Sequence, residues 1–130
     1  MKNLVLICLI VFYFYASSCT ENKVASIDTN AIIQFPDTVN LGDVSLLDTI
    51  RGEISITNTG MAPLILKKVT ASCQCTTPVY DSLPVQTNET TKIHVGIYLK
   101  DTGYFEKNIV FEANTDSIYQ VVVVKGRAIK

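Results

Sequence analysis

Two segments set the pattern of this chain. Ile54 and Ile56 alternate with Glu53, Ser55 and Thr57. Ile93, Val95, Ile97 and Leu99 alternate with Lys92, His94, Gly96 and Tyr98. An apolar residue at every second position marks a strand with one face in a core and the other in water. Extended along the chain, this reading predicts strands at 31–35, 39–44, 53–58, 64–71, 91–100, 104–113 and 119–126. Pro36-Asp37, Asn58-Thr59-Gly60, Asp101-Thr102-Gly103 and Asn114-Thr115-Asp116 separate them, and each supplies turn geometry. The unbroken apolar run 121–124 reads as a central strand covered on both faces. Pro63, Pro78 and Pro84 bracket a stretch expected to be irregular and to cross between sheets. No stretch of ten residues carries a helical apolar stripe. About seven short strands in about 100 residues is the arithmetic of an all-β, immunoglobulin-like β-sandwich, with an open barrel as the alternative.

The N-terminus breaks the alternation. After Lys2, residues 4–16 form an apolar run of 13. A spanning helix needs roughly 20, so the run reads as the core of a signal peptide. It ends in Ala16-Ser17-Ser18-Cys19, small residues directly before a cysteine. This is similar to a bacterial lipobox, which predicts a lipoprotein signal peptide at 1–18 and lipidation of Cys19. Several acyl chains, at ~0.8 kcal/mol per buried methylene, would anchor the mature chain stably. Cys8 would leave with the signal. Residues 20–30 are polar and without period, so 19–30 reads as a lipidated tether. Residues 31–130 remain as the sandwich domain. Thr20, in place of Asp, points to the outer rather than the inner membrane under the enteric sorting pattern.

Charge and composition then narrow the function. The full chain has 11 basic and 12 acidic side chains. Losing 1–18 removes only Lys2, leaving 10 against 12 and a net charge of −2. That balance argues against phosphate-driven nucleic-acid binding. A single histidine leaves little for acid–base chemistry or a multi-histidine metal site. There is no glycine-rich phosphate loop, and the acidic residues are scattered through turns and strand edges. The expectation is a protein that is not an enzyme and carries no cofactor.

The unusual chemistry is Cys73-Gln74-Cys75, directly after the strand at 64–71. Three readings compete. In a disulfide or redox-labile pair, residues two apart on an extended strand place their Cα atoms close to 7 Å apart, at the limit for bridging, so the backbone must kink. A soft-metal site would suit two thiolates, but a closed zinc site takes four ligands, and only His94 and Met61 remain as nitrogen or soft sulfur donors. In the third reading the cysteines are small hydrophobes packed at a strand end. His94, on the polar face by alternation, reads first as a solvated imidazole and second as a metal ligand.

Asn58-Thr59-Gly60, Pro63-Leu64 and the run Ser72-Cys73-Gln74-Cys75-Thr76-Thr77-Pro78 carry a resemblance. So do Leu41-Gly42-Asp43-Val44 before them and Gly103-Tyr104-Phe105-Glu106-Lys107 with Asn114 after them. Together they resemble the bacterial lipoprotein family catalogued as domain of unknown function 1573, over roughly residues 33–128. The resemblance implies an immunoglobulin-like sandwich akin to those of ciliary and centrosomal proteins, and no established activity. Two positions depart from the family pattern. Gln74 stands where the family favours glycine, and Gln86-Thr87-Asn88-Glu89 stands where it favours a Pro-Gly turn.

Asp37-Thr38-Val39, Asp48-Thr49-Ile50, Asp81-Ser82-Leu83 and Asp116-Ser117-Ile118 all read Asp, then Ser or Thr, then an aliphatic residue. This looks like the periplasmic O-glycosylation triplet of some Gram-negative bacteria, with Thr38, Thr49, Ser82 and Ser117 as acceptors. The same triplet is also ordinary turn chemistry before a strand. Asn88-Glu89-Thr90 fits the N-glycosylation pattern but is discounted in a bacterial lipoprotein. The leading expectation is a non-enzymatic module of the cell envelope. Its partners would be the membrane, through the anchor, and an unknown envelope protein or glycan, with no nucleic acid. The competing expectation is a thiol-redox or copper-handling periplasmic protein using Cys73 and Cys75.

Overall fold

The computed structural model describes residues 29–46 and 49–130. The segments expected to be a signal peptide (1–18), the lipidated Cys19 and most of the tether lie outside the described residues. Eight strands follow in chain order: β1 (Ile33–Gln34), β2 (Thr38–Ser45), β3 (Ile50–Asn58), β4 (Leu66–Ala71), β5 (Thr76–Tyr80), β6 (Thr90–Ile97), β7 (Gly103–Ala113) and β8 (Tyr119–Ile129). They form two four-stranded sheets, β1-β3-β6-β5 and β2-β8-β7-β4. The pairings are antiparallel except β2 with β8, which run parallel. The protein is an all-β, immunoglobulin-like β-sandwich, and the open barrel is set aside.

The alternation read from the sequence fills the core. Ile54, Ile56, Ile93, Val95 and Ile97 are buried from the first sheet, facing Ile109, Phe111, Val122 and Val124 from the second. Glu53, Ser55, Lys92 and His94 lie on the outer face. Burying this apolar area, at about 25 cal/mol per Å², is the main force joining the sheets.

Three expectations need correction. An eighth strand, β5, occupies part of the stretch expected to be irregular. It is an edge strand, and Tyr98 N–H donates to Cys75 O across the pair (2.8 Å). That sets Thr77 opposite Gly96 as a hydrogen-bonded pair and turns the nitrogen of Pro78, opposite Val95, to the open edge. The run 121–124 is covered on one face only. Its strand is internal to the sheet, with Val122 and Val124 fully buried, but Val121 is 50% exposed. Finally, the predicted strand 31–35 shrinks to two residues, because Ile32 O instead accepts the N–H groups of Thr59 and Gly60.

The turn before β6 shows how the chain manages without Pro-Gly. Glu89 N–H donates to Gln86 O (3.0 Å), and Asn88 takes φ 65° at the third position, the geometry of a type II turn. Asparagine tolerates the left-handed region better than other side-chain-bearing residues. Asn88→Ala is expected to cost about 1 kcal/mol and Asn88→Gly to cost nothing measurable. Urea denaturation of the two variants checks this.

Candidate functional site

Asn58 and Asn114 organise one end of the sandwich. The fully buried Asn58 donates from Nδ2 to Ala62 O and Val85 O, both 2.9 Å, and accepts from Gly60 N–H (3.0 Å). Asn114 accepts from Ile65 N–H (2.7 Å) and donates to Pro63 O and Thr29 O. The N-terminal segment enters here, fastened also by Ala31 N–H to Asn114 O and by Asn30 to Asp116.

The cysteines lie toward the other end, where the chain leaves β4 in one sheet for β5 in the other. Cys73 and Cys75 are joined by a disulfide, their Cα atoms 5.3 Å apart. The kink that shortens the extended spacing is a tight turn, with Thr76 N–H donating to Cys73 O (3.2 Å). Gln74 closes it without a positive φ, so the glycine favoured there by the resemblance is not required. Both cysteines are half-buried, and their sulfurs lie 3.5 and 3.8 Å from the buried Thr76 hydroxyl. Met61 and His94 are not brought to them. Among the described residues, no three His, Cys, Asp or Glu side chains gather as a metal-holding group. Replacing both cysteines by serine removes a three-residue loop constraint, expected to cost roughly 1.5 kcal/mol at most. Thermal unfolding of the double variant with and without reductant measures it.

The remaining candidates are dispersed. His94 is exposed, with Nδ1 3.8 Å from Glu53. Lys92 Nζ lies 2.8 Å from the same carboxylate, and its hydrogen bond holds Glu53 below the usual carboxylate range. This cluster is open to solvent and contributes little. Thr38, Thr49, Ser82 and Ser117 are exposed and do not cluster. Asp81 spends its carboxylate on Leu83 N–H (2.9 Å), as ordinary turn chemistry requires.

The sequence reading missed a cleft of about 500 Å³ on the outer face of the second sheet. It arises where β2 slips register against β8 between Asn40 and Asp43. Asn40 Oδ1 accepts Gly42 N–H (3.0 Å), and Gly42 turns left-handed at φ +67°. The slipped backbone presses on Gly126, where a Cβ would sit 3.0 Å from Gly42 O and 2.8 Å from Phe105 Cζ. Around the opening stand Asn40, Asp43, Tyr104, Glu106, Lys125 and Arg127. Tyr104 is 86% exposed, with the Arg127 guanidinium 5.6 Å from its ring centroid, a cation–π pair. An aromatic plane ringed by an amide, two carboxylates and two cations can hydrogen-bond a hydroxyl-rich or peptide ligand. The signal was Gly42 interrupting an alternating strand two residues after an asparagine, which marks a bulge.

Residues 33–128 match the family model described as "Protein of unknown function (DUF1573)". No curated protein matches the chain. Among solved structures, it is similar to a protein of unknown function from Porphyromonas gingivalis W83 (TM-score 0.66, 18% identity), with 82% of this chain covering 51% of that one. The chain thus spans about half the length of that relative. It is also similar to the ASH/PapD-like domain 7 of human CEP192 (TM-score 0.59, 9% identity, 78% of this chain and 87% of that one). The secreted serine protease VesC of Vibrio cholerae shares the fold over 77% of this chain and 23% of its own (TM-score 0.57, 8% identity). At these identities the likeness concerns the fold.

Proposed function

The chain belongs to the DUF1573 family of proteins of unknown function, and from that premise we propose that it is a non-enzymatic, lipid-anchored module of a Gram-negative cell envelope. It is carried by Cys19, in the outer rather than the inner membrane, and recognises an envelope protein or glycan. The observation that supports recognition is the cleft over Gly126, where Tyr104 and Arg127 offer an exposed aromatic–guanidinium pair among hydrogen-bonding groups. Aromatic and arginine side chains are the residue types that most often carry binding energy at interfaces. The test is crosslinking and capture with the native acylated protein, comparing wild type with Tyr104→Ala/Arg127→Ala. Loss of the crosslinked species in the double variant supports the reading. An unchanged set of species, in a variant that still folds, overturns the cleft as the binding surface.

A second reading is favoured by the half-buried disulfide, whose cysteines stand in a surface turn. Taking up two electrons and two protons from an envelope dithiol would open it to a thiol pair able to exchange again or to hold a soft metal ion such as Cu(I). Intact mass before and after a dithiol reductant, together with metal content, separates the readings. Free thiols in the protein as isolated, with no metal, leave the recognition module alone. O-glycosylation of Thr38, Thr49, Ser82 or Ser117 is proposed on the triplets and their exposure, and a glycosidase-sensitive mass excess tests it.

A further inference from the structure

The two ends of the sandwich differ in chemistry. At the end organised by Asn58 and Asn114, the loops 29–32, 59–65, 85–89 and 114–118 hold no lysine or arginine. They hold four apolar side chains in water: Ile32 (62% exposed), Met61 (95%), Ile65 (39%) and Ile118 (52%). The loops are knit together. Ile32 O accepts from Thr59 and Gly60, Thr87 Oγ1 donates to Met61 O, Asn114 brackets Ile65, and Ala113 N–H donates to Ile118 O. The two acidic side chains here are engaged, Glu89 with Gln86 N–H and Asp116 with Asn30. The nearest cations along the chain, Lys67 and Lys68, belong to β4. At the opposite end, Asp43, Lys100, Asp101, Arg127 and Lys130 stand exposed.

We propose that the Asn58–Asn114 end of the sandwich rests on the lipid surface to which Cys19 is anchored, with Ile32, Met61, Ile65 and Ile118 entering the interfacial layer. This deepens the lipoprotein reading and depends on it. Cys19 precedes Thr29 by ten residues, and ten residues in any conformation span at most about 35 Å. The chain joins the domain at this end, through Thr29 and Asn30. β8 has 11 residues, so at about 3.3 Å each the charged end stands roughly 36 Å further off when the domain is upright. The anchor holds the apolar end at high effective concentration beside the bilayer, so weak insertion by a few side chains is enough to orient the domain. Without lysine or arginine in these loops, the contact reads apolar depth rather than anionic lipid, and added salt leaves it unchanged. The cleft at Tyr104 and Arg127, near the opposite end, is then presented away from the membrane. Ser117 lies on the resting face, so this placement removes Ser117 from the proposed glycan acceptors and leaves Thr38, Thr49 and Ser82.

The chain has no tryptophan, which makes a single introduced indole a clean reporter. The full-length acylated protein carrying Met61→Trp, or Tyr98→Trp as the opposite-end control, is reconstituted into phosphatidylcholine vesicles with brominated acyl chains. Both positions are exposed, so both variants are expected to fold. The expected result is that the Met61→Trp protein loses more than about half of its indole emission and shifts to the blue, as insertion by 5–10 Å requires, while emission from the Tyr98→Trp protein is unaffected. Protein that binds vesicles with both indoles unquenched overturns the resting face and leaves the anchor standing. Protein that does not bind, and whose mass shows no acyl chains, overturns the anchor and this inference with it. A glycan mapped to Ser117 on the native protein also overturns the resting face.

Discussion

Phe111→Ala is expected to remove about 4 kcal/mol of stability, the sum of a lost buried ring and the cavity left behind. Phe111 is fully buried on β7, an internal strand, and its ring meets Phe35 edge-on, with centroids 5.3 Å apart at 80°. Such pairs add about 0.5–1.5 kcal/mol beyond burial. Phe35 lies between β1 and β2, where the chain passes from one sheet to the other, so the ring pair helps seat that crossing. A domain of this size has roughly 5–15 kcal/mol in all, so the variant loses a quarter to most of it, and its melting temperature drops by roughly 15–30 °C. Phe111→Leu, which keeps most of the volume, is expected to cost less than half as much. Calorimetry of the three proteins decides. Equal losses for Ala and Leu would mean that the edge-on ring contact, and not filled volume, carries the energy.

Phe111 also shows where the sequence was legible. Period-two alternation locates core residues whenever one sheet face is wet, which is why Ile54, Ile56, Ile93 and Val95 could be placed inside from their spacing alone. The same logic misjudged 121–124. An unbroken valine run has no period, so it cannot say whether its second face is covered, and Val121 turned out to face water. Pro78 misled for a related reason. Proline excludes a central strand but not an edge, and edge or centre depends on partners distant in sequence. The disulfide turn and the cleft lay deeper still. The cysteines approach because the chain changes sheets between β4 and β5, and the cleft needs the slipped strand β2 to lie beside β8, whose Lys125 and Arg127 come more than 80 residues later. Gly42 after Asn40 signals the bulge, and Cys73-Gln74-Cys75 the turn, but what each of them faces follows from pairing with distant strands.

Asn58→Leu is expected to cost about 3 kcal/mol, and Asn58→Asp to cost at least as much at neutral pH while recovering in acid. The Asn58 carboxamide makes three hydrogen bonds, each contributing about 1 kcal/mol net. The damage is not uniform. Val85 O keeps Leu64 N–H, and Gly60 N–H keeps Ile32 O, but Ala62 O loses its partner. Aspartate keeps the acceptor facing Gly60 and turns its second oxygen toward two carbonyl oxygens that Nδ2 now meets at 2.9 Å. Burial and those carbonyls both disfavour the carboxylate, so its pKa in the folded state rises above the unfolded value of about 3.9. The folded state then holds more protons than the unfolded one, and stability falls as pH rises through that interval. Below about pH 4 the acid is protonated in both states and can donate to one carbonyl. The gap between Asn58→Asp and wild type therefore widens from pH 4 to pH 7, while the gap for Asn58→Leu, which has no proton to lose, stays constant. Urea denaturation at the two pH values measures both gaps. Parallel behaviour of the two variants would show that water reaches the Asn58 carboxamide, and that the two loops it joins are held together from elsewhere.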